Sequence, residues 1–217
     1  MFLAVGAGAK DTAEAKSEKV TDVEGAWLAR AMQGTTAYGK DEFEVGEVQE
    51  IVIGVDGRIA ELVIRLGSFV EVSNQTLSVP WDQVDMTPDR DGITVSVDID
   101  TIGDEIGITE TTNERMKSGA FLAGDLIGDE VHLKDDSVVG DVHDLIFAGD
   151  GRLAGLVVVP NVSTELTGYY GVPFTGQGGD DGAGFDPAED HYDLALTEEE
   201  FTASEPLNTD LYEEGTL

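Results

Sequence analysis

Most of this chain is built from one small module written twice. Gly25 to Ile64 recurs without a gap as Gly119 to Val158, with roughly 40% of aligned positions identical, a level that marks an internal duplication. The first copy reads Val45-Gly46-Glu47-Val48, then Asp56-Gly57-Arg58-Ile59-Ala60-Glu61-Leu62-Val63-Ile64. The second reads Val139-Gly140-Asp141-Val142, then Asp150-Gly151-Arg152-Leu153-Ala154-Gly155-Leu156-Val157-Val158. Each later closes a strand with a similar tripeptide, Val79-Pro80-Trp81 and Val172-Pro173-Phe174. Whatever fold one copy adopts, the other must adopt too, and this bounds the architecture before any other consideration.

Length agrees with that reading. The 217 residues, 41% of them hydrophobic, suffice for two small domains, each with its own modest core, at roughly 100 residues per domain. The charge is more unusual: 12 basic residues against 45 acidic ones give a net charge of −33, and the acids run along the whole chain. Such a surface is self-repelling and strongly hydrated. It suits salty surroundings, where the Debye length falls to about 3 Å at 1 M; recognition of a basic partner or of divalent cations is the alternative. Binding to a nucleic-acid backbone is disfavoured, because that affinity comes from Lys and Arg neutralising phosphates.

Cysteine is absent, which excludes disulfides, thiolate nucleophiles and Cys-based metal sites. At the N-terminus, Phe2 to Ala9 is an apolar run ending in Ala7-Gly8-Ala9. It has the form of the tail of a secretory signal peptide with its cleavage site, lacking the basic leading region. The expectation is a periplasmic or secreted protein, with a cytoplasmic one as the alternative. No apolar run approaches the roughly 20 residues a membrane helix needs.

Turn chemistry divides the copies into strands. Val45 to Ile53 and Val139 to Phe147 are each followed by Asp-Gly, at Asp56-Gly57 and Asp150-Gly151, which predicts a hairpin in each copy. In the first copy the next strand alternates, with Ala60, Leu62, Ile64 and Leu66 on an inner face and Glu61 and Arg65 on a wet outer one. In the second copy the outer face is Leu153, Gly155, Val157 and Val159, apolar like the inner one. Something must cover it: the first repeat, the C-terminal segment or another subunit. Leu153, Val157 and Val159 are therefore the candidate interaction face. Further strands are expected at Leu77 to Trp81, Ile93 to Val97, Tyr169 to Phe174 and Tyr192 to Leu196. Thr197-Glu198-Glu199-Glu200 has the form of a capping box and predicts a short helix from Glu198, ended by Pro206.

A strand carrying Val-Gly-Glu-Val, then Asp-Gly-Arg, an apolar strand, and a Val-Pro-Trp strand end followed by Asp82-Gln83-Val84 resembles the PRC-barrel family. The resemblance covers Met32 to Val97 and Leu126 to Leu196. It implies an all-β chain with short helices: two tandem small antiparallel β-barrels, filled with side chains and leaving no room for a large ligand. The implied layout is a signal-like segment and lead-in over 1–22, barrels over 23–99 and 119–205, a linker with a short helix over 100–118 and a tail over 206–217. Relatives of this kind include the cytoplasmic domain of the photosynthetic reaction-centre H subunit and the C-terminal domain of a ribosome-maturation factor, where the barrel serves assembly and protein contact. The second copy departs from the pattern at Phe174, where the first has Trp, and in an insertion from Gly176 to Asp190.

Catalytic chemistry finds little support. There is no Gly-x-Ser-x-Gly elbow, no phosphate loop with a following Lys, and carboxylates are too abundant for their proximity to mean anything. Of the histidines, His132 aligns with Tyr38 and His143 with Gln49, so the fold does not require them. With no His-x3-His spacing, they and His191 read as ordinary polar positions. In the acidic glycine-rich insertion, Asp180, Asp181 and Asp186 are weak candidates for Ca²⁺, although their spacing fits no EF-hand or nonapeptide pattern. Trp27 and Phe121, like Trp81 and Phe174, occupy equivalent places and read as core.

The expectation is a non-enzymatic protein-binding or assembly module without cofactors, with an unknown protein partner or self-association and with its domains packed together. The alternatives are an acidic envelope or stress-related structural protein with weak cation binding, and a cytoplasmic role in ribosome assembly.

Overall fold

The computed structural model describes residues 23, 25–67, 76–86, 92–97, 116–164, 166–177, 184–187, 189–204 and 206–207. The signal-like start, most of the expected linker and the end of the tail lie outside them. Among the described residues the chain is mostly strand, with three short helices. In order these are β1 (Trp27–Leu28), α1 (Ala29–Met32), β2 (Thr36–Tyr38), β3 (Glu44–Ile53), β4 (Ile59–Leu66), β5 (Thr76–Pro80), a 3-10 turn (Trp81–Gln83), β6 (Val84–Asp85) and β7 (Gly92–Val95). The second copy repeats the series with β8 (Phe121–Leu122), α2 (Ala123–Leu126), β9 (Glu130–His132), β10 (Val138–Phe147), β11 (Leu153–Pro160), β12 (Tyr170–Pro173), β13 (Gly184–Phe185), β14 (His191–Asp193) and α3 (Glu198–Thr202).

The strands form two seven-stranded sheets of one topology. The first runs β5-β4-β3-β2-β7-β6 and the second β12-β11-β10-β9-β14-β13. In the first copy the three-residue turn Trp81–Gln83 leads straight from β5 into β6, the two ends of that strand order. The expected antiparallel arrangement holds except at one place per copy, where β2 pairs with β7 and β9 with β14 in parallel.

Local chemistry explains the repeated motifs. The glycine of Val-Gly-Glu-Val sits where two backbones nearly touch: a Cβ on Gly46 would lie 2.0 Å from the Arg65 carbonyl oxygen, and one on Gly140 2.1 Å from that of Val159. The Asp-Gly turns place Gly57 and Gly151 at φ of 69° and 80°, a region that costs any side-chain-bearing residue free energy. Between turn and glycine, β3 and β10 each carry a bulge, between Val48 and Glu50 and between Val142 and Asp144, which turns the strand so that both halves of it face the core.

The two halves are not separate beads. Strand β1 of the first copy pairs with β10 of the second, Trp27 opposite Phe147 and Leu28 opposite Ile146. Reciprocally, β8 of the second copy pairs with β3 of the first, Phe121 opposite Ile53 and Leu122 opposite Val52. Each copy lends its leading strand to the other's sheet. One continuous apolar cluster follows, running from Trp27 through Val45, Leu62 and Phe121 to Leu156, Tyr192 and Phe201. The boundaries 23–99 and 119–205 follow the repeat in sequence, but the sheets cross them, and the two modest cores expected from length are one.

Glu61 also differs from expectation. Strand alternation places it on the wet face, yet it is only 1% exposed. It lies between Val52 and Pro80 in the ladder, at the end of the hairpin where β8 joins Val52. A single strand's alternation does not register what packs over it from elsewhere in the fold.

Candidate functional site

Two features of the described residues carry polar chemistry: the junction between copies and a histidine cluster on the second sheet.

At the junction the interactions occur in pairs related by the repeat. The Asp144 side chain, at the bulge of β10, accepts hydrogen bonds from the backbone N–H of Arg30 at 3.1 Å and of Leu145 at 2.7 Å. The equivalent Glu50, at the bulge of β3, accepts from Gly124 N–H at 3.3 Å and Ile51 N–H at 2.9 Å. Arg30 and Gly124 are themselves equivalent, each in the short helix that follows the lent strand, so a carboxylate of one copy caps the helix of the other. Asp144 is 1% exposed. Burial pushes its carboxyl up to about 6, against the hydrogen bonds from Leu145 and Arg30.

The hairpin turns meet nearby. Ile59 N–H donates to the Gly151 carbonyl at 2.9 Å and Leu153 N–H to that of Gly57 at 2.8 Å, so Arg58 and Arg152 face each other across a local dyad. Arg58 reaches Asp150 at 3.0 Å, and both side chains are about half exposed. Aromatic rings fill the space beneath. Trp27 stacks on Phe147 at 4.8 Å and on Trp81 at 5.9 Å, while Phe121 lies 4.7 Å from Phe185 and 6.4 Å from Phe174. The aromatic pairs singled out in the sequence are the packing of the junction. An open depression of about 420 Å³ borders it, lined by Val55, Asp56, Arg58 and Ser118 among others. Its ionic groups are already engaged: Asp56 accepts from the Arg58 N–H at 3.2 Å.

The candidate interaction face is part of this junction. Leu153 and Val157 are buried and Val159 is half-buried. Val157 packs in a second apolar cluster with Ala26, Leu28, Ile146, Ala154 and Leu207. Leu207 N–H donates to the Tyr169 carbonyl at 2.7 Å, which fixes the C-terminal segment in place. The cover is therefore the chain itself, from the first repeat and the C-terminal segment together. As an open docking face Leu153 and Val157 are corrected: a register shift in the β10–β11 ladder between Ile146 and Phe147 puts Leu153 in the main core, while Val157 packs with Ala154 in the second cluster. Of the acidic insertion, Asp186 is exposed, whereas Asp180 and Asp181 lie outside the described residues.

The histidines behave differently from the sequence reading. His143 lies at the junction, its carbonyl accepting from Arg30 Nε at 2.8 Å and its ring held below the ordinary value by burial, with Arg30 adding to the effect. His132 and His191 come together, their rings stacked 4.3 Å apart. The cause is the parallel pairing of β9 with β14, which sets His191 beside Glu130 and Asp193 beside His132. Val131 and Tyr192, between them, point into the core; period-two alternation then turns Glu130, His132, His191 and Asp193 outward. Donor atoms of His132, His191 and Asp193 lie within 4.8 Å of one another. His191 Nε2 is 3.1 Å from Glu189 and 3.6 Å from Asp193, and His132 Nε2 is 3.5 Å from Glu130. The available sequence signal was alternation, Glu130-x-His132 and Glu189-x-His191-x-Asp193, rather than helical spacing.

This fold and these motifs can be set beside known proteins. Residues 26–107 match the PRC-barrel domain. Over this stretch the chain is similar to that family. The match spans β1 to β7, and the second copy repeats the same element order and strand topology. No curated protein matches the chain. PRC-barrel domains are generally non-catalytic and typically mediate protein interactions. Among the described residues, no helix is long and apolar enough to cross a membrane.

Proposed function

We propose that this chain is a non-enzymatic PRC-barrel protein in which two modules, locked by exchanged strands, form one rigid protein-binding or assembly unit that works outside the cytoplasm. The observation that carries the reading is the junction. Reciprocal strand pairing, paired carboxylate caps and a shared core fix the two modules in one geometry, which is what a scaffold needs and what separately folding domains on a linker lack. The family's usual role in protein contact supports the same reading. The acidic surface favours a partner with a basic face, approached fast at low salt and more slowly as ions screen it. The apolar start ending in Ala7-Gly8-Ala9 supports export.

The test is chemical cross-linking in native cells followed by purification of the tagged chain at low and at molar salt, with fractions from the envelope and the cytoplasm processed in parallel. A reproducible partner, enriched in the envelope and lost at high salt, is the expected result. Recovery of the chain alone in every fraction removes the assembly role, and recovery only with ribosomal particles replaces it with the cytoplasmic alternative.

A further inference from the structure

We propose that His132, His191 and Asp193 form a binding site for one first-row divalent transition ion of the Zn²⁺ class, clamping β14 to β9.

The donors are two imidazoles and a carboxylate, a set that suits Zn²⁺, Co²⁺ or Ni²⁺ and not the all-oxygen demands of Ca²⁺ or Mg²⁺. Ligands around a tetrahedral Zn²⁺, bonded at about 2.0–2.1 Å, sit roughly 3.3 Å from each other. Donor atoms within 4.8 Å reach that arrangement by side-chain rotation alone, because the strands already hold the Cα atoms in register. The side chains are 21%, 28% and 35% exposed for His132, His191 and Asp193, so the site is partly dry yet open to an entering ion. Glu189, 3.1 Å from His191 Nε2, is placed as a fourth ligand or as an outer partner. Glu130 stands in the same relation to His132 at 3.5 Å.

A second observation points to a cation. Asp129, adjoining β9, has a buried carboxylate oxygen, Oδ2, with no hydrogen-bond partner among the described residues. A buried carboxylate oxygen left unpaired is costly, and positive charge on the neighbouring strands offsets that cost.

The comparison between copies sharpens the assignment. In the first sheet the equivalent positions are Tyr38 for His132, Gly92 for His191 and Thr94 for Asp193, none of them a ligand of this kind. The cluster is thus additional to what the fold requires. A clamp has a use here: β9 and β14 pair over only three residues and are far apart in the chain, the situation in which a crosslink restrains most.

The repeat also supplies substitutions the fold already accommodates, His132→Tyr and His191→Gly. Tag-free, chelator-stripped full-length protein is titrated with Zn²⁺ by calorimetry and with Co²⁺ by visible absorption, and its melting is followed with and without Zn²⁺. The expected result is one equivalent bound at micromolar or tighter affinity, a Co²⁺ spectrum with imidazole ligation, a raised melting temperature and no displacement by millimolar Ca²⁺ or Mg²⁺. Either substitution removes the single site while the protein stays folded by circular dichroism, and Glu189→Gln weakens it about tenfold, as loss of an outer partner does. Weak multi-site binding that both substitutions leave unchanged, or that Ca²⁺ displaces, overturns the proposal and assigns the ions to the acidic surface. None of these readouts depends on a protein partner, so failure here leaves the assembly reading standing.

Discussion

The glycine of the second hairpin turn shows how much one missing methyl can decide. A Cβ on Gly151 would lie 2.4 Å from the Trp81 indole nitrogen, on a backbone at φ 80°, whereas Gly34 at φ 85° has nothing within 4 Å. Gly34→Ala carries only the left-handed backbone cost, about 1 kcal/mol. Gly151→Ala adds an overpacked aromatic and is expected to cost roughly 2–4 kcal/mol; denaturant unfolding of the two variants side by side distinguishes them. Asp144 makes a different kind of statement. Its folded-state carboxyl titrates at about 6 against an ordinary 3.8. As pH rises the unfolded chain loses this proton first, so between about pH 4 and 6 the unfolded state binds fewer protons and stability falls with rising pH. The gap corresponds to about 3 kcal/mol at most. Asp144→Asn keeps an oxygen to accept from Arg30 and Leu145 but removes the charge. The variant should exceed the natural protein in stability at pH 7, and the difference should vanish near pH 4; a difference independent of pH contradicts the assignment.

At the scale of elements, the short lent strands matter more than their two residues suggest. Trp27 contributes its ring to the junction, but its indole N–H is buried without a hydrogen-bond partner among the described residues, and the equivalent residue in the other copy is Phe121. Trp27→Phe therefore loses area and gains relief of an unpaired donor, and a change within about 1 kcal/mol is expected. Trp27→Ala empties the site and should cost about 3–5 kcal/mol. Although the substitution is in the first copy, amide exchange should accelerate at Ile146 and Phe147 in the second, where β1 is paired. Acceleration confined to the first sheet would show that the exchange contributes little. The strands themselves were legible because their signals are local: an apolar run, an Asp-Gly turn, a repeated Val-Gly. The helix at Glu198 was legible for the same reason, since Thr197 and Glu200 do form the reciprocal cap. Glu61, buried although alternation places it on the wet face, was not legible, because alternation along one strand carries no information about what packs over it from elsewhere in the chain.

For the whole molecule, the shared core predicts one cooperative transition rather than two. Tryptophan fluorescence, which reports the junction through Trp27 and Trp81, and far-ultraviolet circular dichroism, which reports both sheets, should give coincident unfolding curves. Separated curves would mean that the modules unfold independently. The net charge of −33 adds a second expectation: self-repulsion is screened as salt rises, so the melting temperature should climb from low to molar NaCl. A flat series would show that the acids are already accommodated at low salt.

The sequence by itself determined the duplicated module, the all-β class, the hairpins and their glycines, and the need to cover an apolar face at Val157. These depend on periodicity and turn chemistry within a few residues, which any copy of the segment carries with it. Tertiary structure alone decided that each copy completes the other's sheet, that the cover is internal, and that His132 meets His191 beside Asp193. Those outcomes rest on pairings between residues far apart in the chain, above all the parallel contact of β9 with β14. No local pattern encodes such a contact, because its free energy is realised only when the whole core forms.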